Sequence, residues 1–220
     1  MPLSYRELTQ PTAEPLTLAQ AKAHLRVDFT DDDTYITSLI TAARQYVEQV
    51  TNRAIFNRSI LLTLDYFPYP GWNVTYGQTY NTVLSWYYRG LTIRLPKPAL
   101  VSVESITYLA ADGVTSITID PSKYIVDTTS ELGRISPAPG YTWPYQQNYL
   151  PGQVRITYTA GTYGDGVEVN TCPQTMIQAM LLLIGHWYEH REAVSELNLK
   201  TIPLAVDALL AGETFDSFEW

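Results

Sequence analysis

The sequence of 220 residues predicts an α+β fold: a helical bundle, built from N-terminal helices and one long C-terminal helix, with a β-rich insertion between the helical segments. Three observations predict it. Apolar residues recur at helical spacing up to residue 50. Between 54 and 170 the period falls to two, with β-branched and aromatic residues in short runs. From Thr171 to Tyr188 the chain is largely apolar and holds no charged residue. The expected organisation is a helical segment over 1–53, a β-rich insertion with long aromatic loops over 54–170, a C-terminal helical segment over 171–211 that completes the helical domain, and a tail over 212–220.

Each element has a local cause. Thr17 and Gln20 have the spacing of a capping box, and Leu18, Ala21 and Leu25 share one face of a short helix ending near Arg26. A longer helix is expected from about 32 to 50, with Thr30 or Asp31 as its cap. Asp32 and Asp33 oppose its positive end, Ile36, Leu39, Ile40, Ala43, Val47 and Val50 form its apolar face, and Asn52 is a stop. Strands are expected at 59–65, 91–95, 101–109, 114–119, 123–127, 133–136 and 153–159, with turns at Ala111-Asp112-Gly113 and Asp120-Pro121-Ser122. The stretches 68–90 and 137–152 are rich in Pro, Gly, Tyr and Trp; loops of that length are expected to bind something. Pro173 suits the first turn of a third helix, whose apolar face is Ile177, Met180, Leu181, Ile184, Trp187 and Tyr188. A short fourth helix follows Pro203.

Composition narrows the function. Fourteen basic against 22 acidic residues give a net charge of −8, so phosphate neutralisation cannot drive affinity and sequence-specific DNA binding is not expected. No apolar run approaches the roughly 20 residues of a membrane-spanning helix. A lone cysteine, Cys172, excludes an internal disulfide, and the opening residues lack a secretory pattern, so assembly in a reducing cytosol is expected. Seventeen tyrosines and five tryptophans favour contact surfaces.

Several motifs could carry chemistry. His186, Glu189 and His190 match H-x-x-E-H, in which two histidines four apart bind zinc and the glutamate is a general base; the pattern lacks an evident third ligand. The bland reading is a polar helix end. Asp28, Asp31, Asp32 and Asp33 evoke a calcium loop, but no glycine makes its turn and Leu39 stands where the closing glutamate belongs, so helix capping explains them. The glycine-rich stretch 161–166 lacks Gly-Lys-Ser/Thr and is expected to be a strand-to-helix connection. Cys172, at a helix start that would depress its pKa, could in principle form a nucleophilic pair with a histidine, but no orienting partner is evident, so the pair is not expected. His24 is expected to be a surface or interface residue. No cofactor or metal is expected.

Three blocks resemble the head-tail connector proteins of tailed bacteriophages: Leu16 to Asp28, Asp31 to Ile40, and Ala42 to Ala54. So do Ile93 to Val103, Ile156 to Gly161, and the helix Ile177 to Arg191. The resemblance spans residues 16–210 and implies a non-enzymatic ring of subunits, usually twelve, which docks under the portal after packaging. It also implies that the ring extends the DNA channel and receives a downstream connector or tail-completion protein, in the virion neck; the net acidic charge is expected to let DNA pass the lumen without specific binding, provided acids face it. Phe215, Phe218 and Trp220 are spaced as apolar anchors on an acidic tail, Gly212 to Trp220, and are expected to bind the portal, the alternative being that this tail packs back on its own helices. The runner-up is a carbohydrate-binding or tail-surface β module using Trp72, Tyr76, Tyr80, Trp86, Tyr87, Tyr88, Tyr141, Trp143, Tyr145 and Tyr149 as stacking rings; a zinc hydrolase comes third.

Overall fold

The computed structural model describes residues 4–68, 88–89, 91–145, 150–190 and 204–215. They are α+β, with a β-rich region between helical segments. The elements are β1 (Ser4–Glu7), α1 (Leu18–Leu25), α2 (Asp33–Thr51), β2 (Arg58–Leu64), β3 (Tyr88–Arg89), β4 (Thr92–Arg94), β5 (Leu100–Leu109), β6 (Ser116–Thr118), β7 (Tyr124–Asp127), β8 (Arg134–Pro137), β9 (Val154–Ala160), α3 (Gln174–Glu189) and α4 (Leu204–Leu210). The chain divides into two units and passes between them three times: a β unit of residues 1–10 and 57–162, and a helical unit of residues 11–56 and 163–220.

In the β unit two antiparallel sheets, ordered β1-β2-β9-β5-β6 and β3-β4-β8-β7, share one core. Alternation decides which side chains enter it. Ile60, Leu62 and Leu64 of β2 are buried, as are Val154, Ile156, Tyr158 and Ala160 of β9, while the residues between them lie on the other face. That second face is mostly polar, carrying Thr63, Arg155, Thr157 and Thr159 beside Leu61. The turn after β5 forms as its sequence requires: Gly113 takes φ +70°, and the Asp112 carboxylate accepts the N–H groups of Val114 and Thr115. Two strands, β1 and β3, lie outside the sequence expectation. β1 has no alternating apolar pattern of its own and exists because β2 offers it an edge, with Ser4 to Glu7 paired to Thr63 to Ile60.

In the helical unit α1 begins with the expected capping box: the Gln20 N–H donates to Thr17 Oγ1 and the Thr17 N–H to Gln20 Oε1. Arg26 closes it in the left-handed region. Asn52 ends α2 in the same way, at φ +57°. The start of α2 departs from expectation. Its cap position is Asp32, not Thr30 or Asp31, and no side chain caps it there; the Asp32 carboxylate instead accepts the hydroxyl of Tyr188 on α3. Pro173 likewise stands at the cap of α3, one place ahead of the first turn. Seven residues of α3 are buried, from Met176 to Ile184, in a cluster with Ile36, Ile40, Ala43 and Val47 of α2 and Val206 and Leu210 of α4. The uncharged run thus has its explanation inside its own unit.

Candidate functional site

Two polar clusters tie the helical unit together. At the first, Arg44 is 2% exposed and forms a bridge: its Nε donates to Glu14 Oε2 and one terminal nitrogen to Glu48 Oε2, both at 2.8 Å. Glu48 Oε1 accepts the N–H of Ile55 at 2.9 Å. The chain leaving α2 is therefore tied to α2 by a carboxylate that is itself neutralised.

The second place is the segment after α4. Glu213 Oε2 accepts the Tyr163 hydroxyl at 2.9 Å, Glu213 Oε1 accepts the Thr175 hydroxyl at 3.1 Å, and the Glu213 carbonyl accepts Arg53 Nε at 2.7 Å. The Phe215 N–H donates to the Thr51 carbonyl at 2.8 Å, and the Arg53 guanidinium lies 5.8 Å from the centre of the Phe215 ring. Burial, then the bond to Glu213, raises the Tyr163 pKa. Of the three tail residues expected to meet a partner, Phe215 is held on the end of α2, while Phe218 and Trp220 lie outside the described residues.

Charge separates the units. The helical unit holds fifteen acidic and six basic residues, a net −9; the β unit holds seven and eight, a net +1. Among the described bases of the helical unit, Lys22 bonds Asp33 and the Phe29 carbonyl, Arg44 bonds Glu14 and Glu48, and Arg53 bonds Glu213. Asp28, Asp31, Glu168, Glu189 and Asp207 remain exposed. Among the described charged residues of this unit that are exposed, these carboxylates outnumber the bases, of which Arg26 is exposed.

The catalytic motifs do not converge. His186 is in the last turn of α3 and His190 caps it, their rings 4.9 Å apart edge to face. Among the described residues no three His, Cys, Asp or Glu side chains are grouped to hold a metal ion. The Asp28–Asp33 acids are dispersed, Asp33 to Lys22 and Asp32 to Tyr188. Asp165 serves the connection into α3, accepting the N–H groups of Val167, Glu168 and Val169. The expectation for Cys172 is corrected. Burial, with smaller contributions from Glu213 and Glu48, pushes its thiol up to about 12, so it is not an activated thiolate. His24 is exposed, as expected.

The stacking platform also loses members. Trp143 is buried, its ring stacked on Phe67 at 5.0 Å and its indole N–H donating to the Leu91 carbonyl at 2.6 Å. Tyr141 packs on the same core beside Lys123, and Tyr145 is exposed. The side chains of Trp72, Tyr76, Tyr80, Trp86, Tyr87, Tyr88 and Tyr149 lie outside the described residues. Sequence reasoning missed Glu213, Tyr163 and Arg53. A glutamate isolated among small and polar residues just past a helix carries no local signal of its distant partners.

Comparison with known proteins follows the same lines. Residues 15–75 match the family model of the phage gp6-like head-tail connector protein. That stretch takes in α1, α2 and β2, and it supports the resemblance carried by the opening sequence blocks. A chain in the neck of an empty GTA particle computed with C6 symmetry is 19% identical, with a TM-score of 0.67, over 97% of this chain and 96% of that one. A chain in the virion of a native gene transfer agent (GTA) particle is 22% identical, with a TM-score of 0.68, over 96% and 95%. A chain in the neck of a native GTA particle computed with C12 symmetry is 21% identical, with a TM-score of 0.65, over 98% and 96%. These likenesses establish a shared fold. No curated protein matches the chain.

Proposed function

We propose that the chain is a structural head-tail connector of a phage-like particle. It resides in the virion neck, forms a ring of copies under the portal, extends the DNA channel after packaging and presents the platform on which a downstream connector or tail-completion protein docks. The observation that carries this reading is the agreement of two independent likenesses. The α1–α2 segment matches head-tail connectors, and that segment belongs to a fold shared, nearly end to end, with chains of GTA particle necks. The C12 symmetry of one of those necks supports a ring of twelve.

The electrostatics fit a conduit. A channel that passes DNA must not hold it, and a unit with net charge −9 whose described bases are mostly occupied by its own acids and carbonyls would repel phosphates wherever it lines the lumen. The reading involves no catalytic step, cofactor or membrane. The acidic tail beyond Phe215, carrying Phe218 and Trp220, contacts the portal, launched from the anchor that Phe215 makes on the end of α2 and Glu213 makes on Arg53 and on Thr175 of α3.

Electron microscopy of the protein mixed with its portal is the test: a ring capping the portal is expected, and a protein that never associates with the portal overturns the reading. For the tail, the informative truncation ends after Phe215, because a cut at 212 also removes the Glu213 bonds. Loss of 216–220 is expected to lower portal affinity at least tenfold with unchanged thermal unfolding. Unaltered binding would remove the tail from the interface.

A further inference from the structure

The five-stranded sheet has two outer strands among the described residues, and they differ in how they are protected. Edge strands are normally guarded by shortness, charge, proline or a bulge. β1 carries Arg6 and Glu7. β6 and its flanks, Val114-Thr-Ser-Ile-Thr-Ile119, contain no charge, proline or glycine, and five of the six residues are β-branched, Ser116 being the exception. Val114 is 82% exposed and Ile117 38%. β6 itself is only three residues long, a short edge, but the uncharged β-branched run around it is suited to pairing with another strand.

The backbone shows what fits. On the inner side of β6 the Ala110 N–H donates to the Thr115 carbonyl and the Ile119 N–H to the Ile106 carbonyl, each 2.8 Å. In an antiparallel ladder this phase turns the N–H and C=O groups of Ser116 and Thr118 outward. At the opposite edge the Leu8 N–H donates to the Ser59 carbonyl, which by the same rule turns those of Tyr5 and Glu7 outward. Each edge thus presents two residues, two apart. With five antiparallel strands β1 and β6 run in the same direction. Tyr5 pairs with Leu62 and Ile117 with Tyr108, so both point to the core face, where each is a partly exposed apolar side chain at the rim: Tyr5 is 40% exposed.

We infer that β6 of one copy pairs, parallel and in the register Ile117 beside Tyr5, with β1 of the next copy, joining the five-stranded sheets into a continuous belt. In that register the Tyr5 N–H donates to the Ser116 carbonyl, the Thr118 N–H to the Tyr5 carbonyl, and the Glu7 N–H to the Thr118 carbonyl, while Tyr5 and Ile117 cover each other. A head-to-tail contact uses different surfaces on the two copies, which is what a closed ring needs. Five strands at about 4.8 Å carry the belt about 24 Å per copy, so a belt of twelve closes at about 90 Å across. The inference rests on the ring proposed above and names its contact.

Two cysteines test it. Paired strands place neighbouring Cα atoms within disulfide range, and the buried Cys172 does not compete. The full chain carrying both Tyr5→Cys and Ile117→Cys, assembled with its portal and mildly oxidised, is expected to give a ladder of covalent multimers on denaturing gels. Each single variant alone is expected to stay monomeric. Dimers from Ile117→Cys alone would mean that β6 pairs with β6, and rings without any ladder would mean that the edge is covered otherwise, by another part of the chain or another protein; either overturns the inference and leaves the connector reading standing. Failure to form rings in the wild-type protein would instead count against that reading. As a second variant, Thr118→Pro removes an outward N–H. It is expected to abolish ring formation with unchanged monomer unfolding, and unimpaired rings would also overturn the pairing.

Discussion

The helical and β units satisfy their polar groups in opposite ways. The helical unit concentrates charge, net −9, and uses ionised side chains as internal ties: Arg44 between Glu14 and Glu48, and Glu213 among Tyr163, Thr175 and Arg53. The β unit is nearly neutral, and its backbone is satisfied by ladders between alternating strands, with hydroxyls and a few charges on the outer face. Helices leave their ends unsatisfied and must be tied by side chains, whereas strands leave their outermost edges unsatisfied and must be tied by another strand. One unit is therefore sensitive to single charge deletions and the other to what meets its edges.

The largest expected effect breaks the first kind of tie. Arg44→Ala strands Glu48 as a buried charge and should cost about 3–5 kcal/mol, read as a fall in the midpoint of far-ultraviolet helix loss. A variant unfolding like wild type would show that the bridge carries no stability. In the β unit, Trp143→Ala should cost about 3 kcal/mol, since it removes a buried ring stacked on Phe67. A surface stacking residue would leave denaturant midpoints unmoved, so this variant decides whether the 137–152 loop is core or platform at that position.

A smaller effect is expected for Tyr163→Phe, which deletes one hydroxyl donated to a carboxylate and should cost about 1.5–3 kcal/mol. Equal stability in urea would mean that Glu213 is held well enough by Thr175. The smallest effect concerns Cys172. Its folded pKa is raised to about 12, so the neutral thiol contributes stability that is whole below the unfolded value of about 8.5 and is lost as pH rises from there toward 12. At pH 8 the native thiol should react with DTNB far more slowly than the unfolded one; equal rates would contradict its burial.

Much of this comparison was legible in the sequence. The seven expected strands all form, each within a residue or two of its expected limits, because alternation and turn chemistry are local properties. The capping box of α1 and the Asn52 stop of α2 are local as well. The Asp32 cap was not legible, because a distant tyrosine competes for its carboxylate. The same holds for Cys172: a helix start argues for a lowered pKa, and only packing shows that burial wins. The aromatic loops show both outcomes in one stretch, with Trp143 inside the core and Tyr145 outside it.

The sequence by itself determined which segments are helix and which are strand, and that the chain is acidic, because period, caps, turns and charge are written along the chain; its resemblance to connector proteins rests on the residues of particular blocks. Only the tertiary structure decided that residues 1–10 belong with the sheet rather than the helices, and that Glu213 and Arg44 are internal ties. It alone revealed β1 and β6 as the two rims of one sheet. Those facts depend on which distant groups meet, and the free energy of such meetings comes from burial and pairing that no local stretch encodes.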